Sequence, residues 1–144
     1  MKISRFLFSI LFLPRIITRA SSCSTLLTSS YDVIIDAMFG FSFHGTPRAP
    51  FDSIISTINA SSLPVVSIDI PSGWDVERGD INECSIHIPE MLISLTTPKL
   101  CAQQFKGTHY VGGRFLPPTL ASKYNIVLPE YPGCEQCVRV LTVC

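Results

Sequence analysis

With 144 residues, 47% of them hydrophobic and only 15% charged, the sequence carries enough apolar material for one globular domain and too much for a disordered chain. Its 11 basic and 11 acidic residues cancel, so no net positive field attracts nucleic acid, and no lysine or arginine run supplies one locally. Of the six cysteines, only Cys134-Glu-Gln-Cys137 has a spacing associated with chemistry. A four-cysteine zinc site needs a second close pair, and redox chemistry needs the pair at a strand-to-helix turn rather than after Pro129 and Pro132, so unpaired thiols are the simpler reading.

Residues 1–30 differ from the rest. They carry Lys2, Arg5, Arg15 and Arg19, many serines and threonines, an apolar run from Phe6 to Leu13, and no acid before Asp32. That run is too short to cross a bilayer. A secretory signal would use Met1 to Arg5 as its charged start, Phe6 to Leu13 as its apolar region and Ala20-Ser21-Ser22 for cleavage. A mitochondrial presequence would use the dispersed arginines and hydroxyl residues, although Pro14 interrupts an amphipathic helix. A third reading is that the segment is not native to the domain.

From Tyr31 the pattern is globular. A strand over about 32–37 runs into the loop Gly40 to Gly45, and Pro50 suits the first turn of a helix whose Phe51, Ile54, Ile55 and Ile58 share one face. Asn59 to Ser62 ends that helix, and Val65 to Ile70 forms a second strand, giving a right-handed parallel crossover unit. Residues 73–90 read as a polar surface loop, with Trp74 packing beneath it. Met91 to Thr96 reads as a third buried strand, Pro98 to Gln104 as a short helix, His109 to Phe115 as a weaker strand and Pro117 to Tyr124 as a terminal helix, with the proline-rich end on the surface. Strands apolar on both faces belong in a covered parallel sheet, where ligands bind beyond the carboxyl ends.

Two carboxylates, Asp36 and Asp69, follow such ends. They sit at equivalent places, one at each strand end, so on adjacent strands of a parallel sheet they can converge on one small ligand; the alternative is that each caps the turn after its strand. Ser72 adds a hydroxyl behind Asp69, and Asp36 with Ser72 offers hard oxygen donors suited to an alkali or alkaline-earth cation rather than zinc. The loop Gly40, Phe41, Ser42, Phe43, His44, Gly45, Thr46 can bring backbone N–H groups near an anion. It matches neither dinucleotide fingerprint nor P-loop. Of Phe41 and Phe43, at least one is expected to anchor the loop, and His44 to be solvated. Ser72 sits in no nucleophile elbow, which disfavours a serine hydrolase.

Four ordered motifs, Asp36-Ala-Met-Phe-Gly-Phe-Ser-Phe-His-Gly45, Ser67-Ile-Asp-Ile-Pro-Ser-Gly-Trp-Asp75, Leu92-Ile-Ser-Leu-Thr-Thr-Pro-Lys99 and Gly112-Gly-Arg-Phe-Leu-Pro-Pro118, make the chain from Tyr31 to about Val140 closely resemble the C-terminal half of the NAD(P)H-hydrate epimerase family. The resemblance implies an α/β, Rossmann-like three-layer αβα sandwich with a mostly parallel sheet that lacks its N-terminal strands. It implies an isomerase of nicotinamide nucleotide repair, usually a homodimer, that interconverts the R and S forms of hydrated NADH and NADPH for a partner dehydratase. It implies a potassium ion at Asp36 and Ser72, substrate contacts at Gly40 to Thr46 and Asp69, and Asp69 as the acid–base group. Thr46 departs from relatives with aspartate there, and the family's phosphate-binding loop of the form NNGGD is absent from the sequence. The alternative is a non-catalytic nucleotide- or protein-binding portion, of the apolipoprotein-binding kind some relatives show. Family analogy points to mitochondria, with secreted and cytosolic locations as alternatives.

Overall fold

The computed structural model describes residues 6–8 and 23–140. In chain order these are β1 (Phe6–Phe8), α1 (Cys23–Ser30), β2 (Val33–Asp36), α2 (Phe51–Asn59), β3 (Val65–Ile68), β4 (Met91–Leu95), a 3-10 turn (Leu100–Gln104), β5 (Thr108–Gly112), α3 (Pro118–Lys123) and β6 (Cys137–Arg139). The strands lie side by side in sequence order in one six-stranded sheet. Strands β1 to β5 are parallel and β6 is antiparallel to β5. The expected α/β, mostly parallel, Rossmann-like architecture is present.

Register decides which side chains are covered. Asp36 pairs with Ser67, Ser67 with Leu92 and Leu92 with His109, and paired residues share a face. That face is buried: Ile34, Asp36, Val65, Ser67, Leu92, Ser94, His109 and Val111 are at most 7% exposed. Their neighbours Val33, Ile35, Val66, Ile68, Met91, Ile93 and Tyr110, on the other face, are only half-buried. Helix α2 lies on the covered face, its Ile54, Ile55 and Ile58 packing with Ile34, Val65, Ile86 and Leu27. At nine residues it is too short to persist alone. Burying each isoleucine contributes about 1.5–3 kcal/mol, which holds it in place. A second cluster, Ile70, Trp74, Leu92, Cys101, Ala102 and Phe105, fixes the 3-10 turn.

Three expectations change. The packed unit starts upstream of Tyr31: β1 pairs with β2, Leu27 of α1 is fully buried, and the Tyr31 N–H donates to the Leu27 carbonyl at 2.9 Å. A short apolar run has the composition of a strand as well as of a signal core, so composition did not separate them. The remainder of that run through Leu13, Arg15, Arg19 and the cleavage site at Ala20-Ser21-Ser22 lie outside the described residues. Residues 73–90 are not simply a surface loop, because Ser85 and Ile86 are at most 1% exposed and Ile86 N–H donates to the Ser72 carbonyl at 2.8 Å. Trp74 does pack beneath this segment, its Nε1–H donating to the Ile86 carbonyl at 2.7 Å. Gly73 permits the close crossing: its φ is +90°, and a Cβ there would lie 2.4 Å from the Cys84 carbonyl oxygen. Finally, the C-terminal stretch contributes β6.

Candidate functional site

Asp36 ends β2 on the covered face and is completely inaccessible. Its Oδ1 accepts from the Ser72 hydroxyl at 2.6 Å and from Met38 N–H at a long 3.5 Å. Its Oδ2 accepts from the Ser67 hydroxyl at 2.8 Å and from Ser72 N–H at 2.9 Å. Burial pushes the carboxyl above its ordinary range, and the bonds from Ser72, Ser67 and Met38 pull against that shift. All of these donors are neutral. Among the described residues no cationic side chain reaches Asp36, so its charge is uncompensated, and such burial is costly.

Asp69 is built differently. Since Asp36 aligns with Ser67, Asp69 lies two residues further along, past the end of β3, so the two acids are not in the equivalent places that their sequences suggest. The residue takes left-handed backbone, φ 71°, tolerable for aspartate but unusual outside glycine. Its carboxylate Oδ2 accepts from Phe41 N–H at 3.0 Å, and Oδ1 pairs with the Lys99 ammonium. Lys99 Nζ also donates to the Leu95 carbonyl at 2.9 Å. Gly40 lies so close that a Cβ on it would sit 3.0 Å from Asp69 Oδ2.

The first loop joins these two arrangements. Phe39 N–H donates to Ser72 Oγ at 3.2 Å, and two residues later Phe41 N–H holds Asp69. Phe39 stacks on Phe43 with ring centroids 4.2 Å apart and meets Phe51 of α2 edge-on at 5.0 Å. Phe43 is thus the anchor, whereas the Phe41 ring is 64% exposed. Ser42, His44, Gly45 and Thr46 are exposed, and none of them bonds to Asp36 or Asp69. The expected convergence of both acids on one open pocket is therefore not what the fold produces: Asp36 is enclosed beneath the face covered by α2, and only Asp69 borders the surface. Lys99 is the residue that sequence reasoning passed over; its signal was a lone basic residue just past the end of the third strand.

Other groupings offer less. Ser85, Asp80 and His87 meet, but His87 Nδ1 faces both Asp80 Oδ2 at 3.1 Å and Ser85 Oγ at 3.2 Å. A nucleophile relay needs the two ring nitrogens to serve different partners. Burial pushes the Cys101 thiol up to about 11, leaving it protonated and inert. No group of three or more His, Cys, Asp or Glu side chains that could hold a metal occurs among the described residues, and none of their helices is long and apolar enough to cross a membrane. A cavity of about 770 Å³, lined by Pro64, Glu90 and Gly107, opens at the amino ends of β3 to β5, away from both aspartates.

Asp36 and Ser72 bring carboxylate and hydroxyl oxygens together, the donor type that hard cations take, and among the described residues no cationic side chain pairs with Asp36.

Comparison with known proteins agrees with the motifs. The family described as YjeF-related protein N-terminus matches residues 14–101, more than half of the chain. The crystal structure of yeast ynu0, YNL200c, superimposes with a TM-score of 0.74 at 39% identity, over 80% of this chain and 49% of that one. The Arabidopsis thaliana protein named pyridoxine/pyridoxamine 5'-phosphate oxidase 1, chloroplastic, is 53% identical over 124 residues, 79% of this chain but 23% of its own length. The chain thus spans about half of the solved relative and under a quarter of the curated one. With the family model matched over residues 14–101 and the yeast structure superimposing at this identity, the chain belongs to the YjeF-related N-terminal family, the one its motifs resemble in the NAD(P)H-hydrate epimerases.

Proposed function

We propose that this chain acts in the epimerisation of hydrated NADH and NADPH, with the proton chemistry centred on Asp69. The observation that carries the reading is the placement of that carboxylate: held in left-handed backbone beyond β3, gripped on one oxygen by Phe41 N–H, and nearly buried, with 11% of its side chain left accessible. Inversion at the hydroxyl-bearing ring carbon requires the hydroxyl to leave as water, with the ring nitrogen's electron pair stabilising the carbon, and water to return on the opposite face. A fixed acid–base group beside that carbon serves both directions. The exposed Phe41 ring would meet a planar ring, and the amides of residues 40–46 other than those of Phe41 and Phe43, which bond within the protein, would meet an anion. Asp36 and Ser72 would hold the potassium ion, which supplies positive charge that offsets the buried carboxylate. The same reading includes the family's homodimer, a dehydratase as functional partner and an organelle location, the last supported by the Arabidopsis relative's chloroplast designation and the basic, hydroxyl-rich start. Sedimentation and a fluorescent fusion of residues 1–30 test the first and last of these.

The deciding experiment supplies one purified epimer of hydrated NADH and follows appearance of the other by chromatography. The wild-type chain should accelerate the conversion above background, and Asp69→Asn should abolish the acceleration while retaining substrate binding. Equal turnover in the variant removes Asp69 from the role. Binding without conversion by the wild-type chain favours the non-catalytic reading.

A further inference from the structure

Resting on the epimerase reading but moving its proton carrier from Asp69 to the partner of Asp69, we propose that Lys99 is the group that delivers and recovers the proton, and that Asp69 orients it. Both oxygens of Asp69 already accept N–H donors, Phe41 on one side and Lys99 on the other. A proton on that carboxyl would weaken both bonds, the Lys99 pairing above all, because a neutral carboxyl is the poorer acceptor. The lysine has a donor to spare: an ammonium carries three, of which two go to Asp69 Oδ1 and the Leu95 carbonyl. The side chain is 17% exposed, slightly more than its partner at 11%, so the pair is only partly closed off from solvent.

The chain is shaped to put it there. Lys99 follows β4, whose exit passes through Thr96 at φ 67°, a conformation unfavourable for a β-branched residue. Thr96 N–H is fixed to the Gly112 carbonyl at 2.8 Å. Strained backbone of this kind persists only where surrounding structure holds it, and it concentrates at functional sites. The other titratable group acting on the pair is the Cys101 thiol of the 3-10 turn, which feels both charges and stays protonated up to about 11.

In the reaction, Lys99 N–H protonates the ring hydroxyl; the C–O bond breaks with its electrons on oxygen, water departs, and the ring nitrogen's lone pair forms a C=N bond. Water then attacks the opposite face, the electron pair returns to nitrogen, and the extra proton of the added water returns to the neutral lysine amine. No electrons are gained or lost.

The test compares the full chain with Lys99→Arg and Lys99→Ala. Arginine keeps the positive charge and the pairing to Asp69 but does not release its proton in this range. Lys99→Arg should lose at least about 100-fold in kcat, with KM within a few-fold of wild type. Lys99→Ala should be equally inactive and regain turnover on addition of small primary amines, in proportion to their basicity. A circular dichroism spectrum and urea midpoint for each variant separate chemistry from misfolding; amine rescue of the alanine variant is decisive if the arginine fails to fold. Full activity and an unaltered pH profile in Lys99→Arg, or no rescue of a folded Lys99→Ala, overturns this inference alone. A wild-type chain that leaves the epimers unconverted overturns the epimerase reading, and this inference with it.

Discussion

Replacing Ser72 by alanine tests the internal knot most directly. The Ser72 hydroxyl donates to Asp36 Oδ1 at 2.6 Å and accepts from Phe39 N–H at 3.2 Å, so the change removes a bond to a charged group, at about 1.5–3 kcal/mol, and leaves a part-buried amide without its acceptor, at about 1 kcal/mol. The expected loss of about 2.5–4 kcal/mol is a large share of a total stability of roughly 7–15 kcal/mol for a domain of this size. Its pH dependence has a sign. Asp36 has a folded-state pKa above the unfolded value, so its contribution to stability is present at low pH and lost as pH rises through the folded pKa. Removing a bond that opposed the shift raises that pKa further. The deficit of Ser72→Ala relative to wild type should therefore be largest at about pH 7.5 and shrink towards about pH 4. Urea unfolding followed by circular dichroism, with the denaturant slope unchanged, measures it. A deficit below about 0.5 kcal/mol, or one that grows towards acid, refutes the account of Asp36 as a buried carboxylate held by Ser72.

Gly40→Ala should spare stability yet damage activity, because its Cβ would stand 3.0 Å from Asp69 Oδ2 and displace a group whose position matters to a fraction of an ångström; a fall of roughly ten- to a hundred-fold in kcat, with the urea midpoint nearly unchanged, is expected. His109, buried beside Ser94 with Nε2 2.9 Å from its hydroxyl, has a pKa lowered by burial from its ordinary 6.5. Stability tied to it is present above about pH 6.5 and is lost as pH falls below that value towards the folded pKa, at no more than about 1.4 kcal/mol per pH unit. Asp36 contributes the opposite trend, so the fall is read as the difference in urea midpoint between wild type and His109→Gln, which should change between about pH 7.5 and 5 to the disadvantage of wild type at the lower pH.

The legible parts of the molecule were those where local pattern and tertiary role agree. Ile54, Ile55 and Ile58 announce α2 by spacing and occupy the core as expected, and Ser72 does meet Asp36. The equivalence of Asp36 and Asp69 failed because it was judged from where each apolar run stops, whereas register is set by hydrogen bonding between strands and puts Asp36 opposite Ser67. Lys99 was obscured for a related reason. Its long side chain reaches from the end of β4 to an acid beyond β3, a contact with no signature in linear spacing. β6 is three residues long and contacts the sheet only at its edge, too short for alternation to show.

The bonds made by Phe39 and Phe41 have a mechanical consequence. One strap of backbone is bolted at alternate amides to two residues, Ser72 and Asp69, of the segment that leaves β3, so it cannot swing aside as a lid without unfastening both at once. Any give in the loop then falls to the exposed residues 44–46 beyond the Phe43 anchor, while the Asp69–Lys99 pair stays clamped by the Phe41 amide.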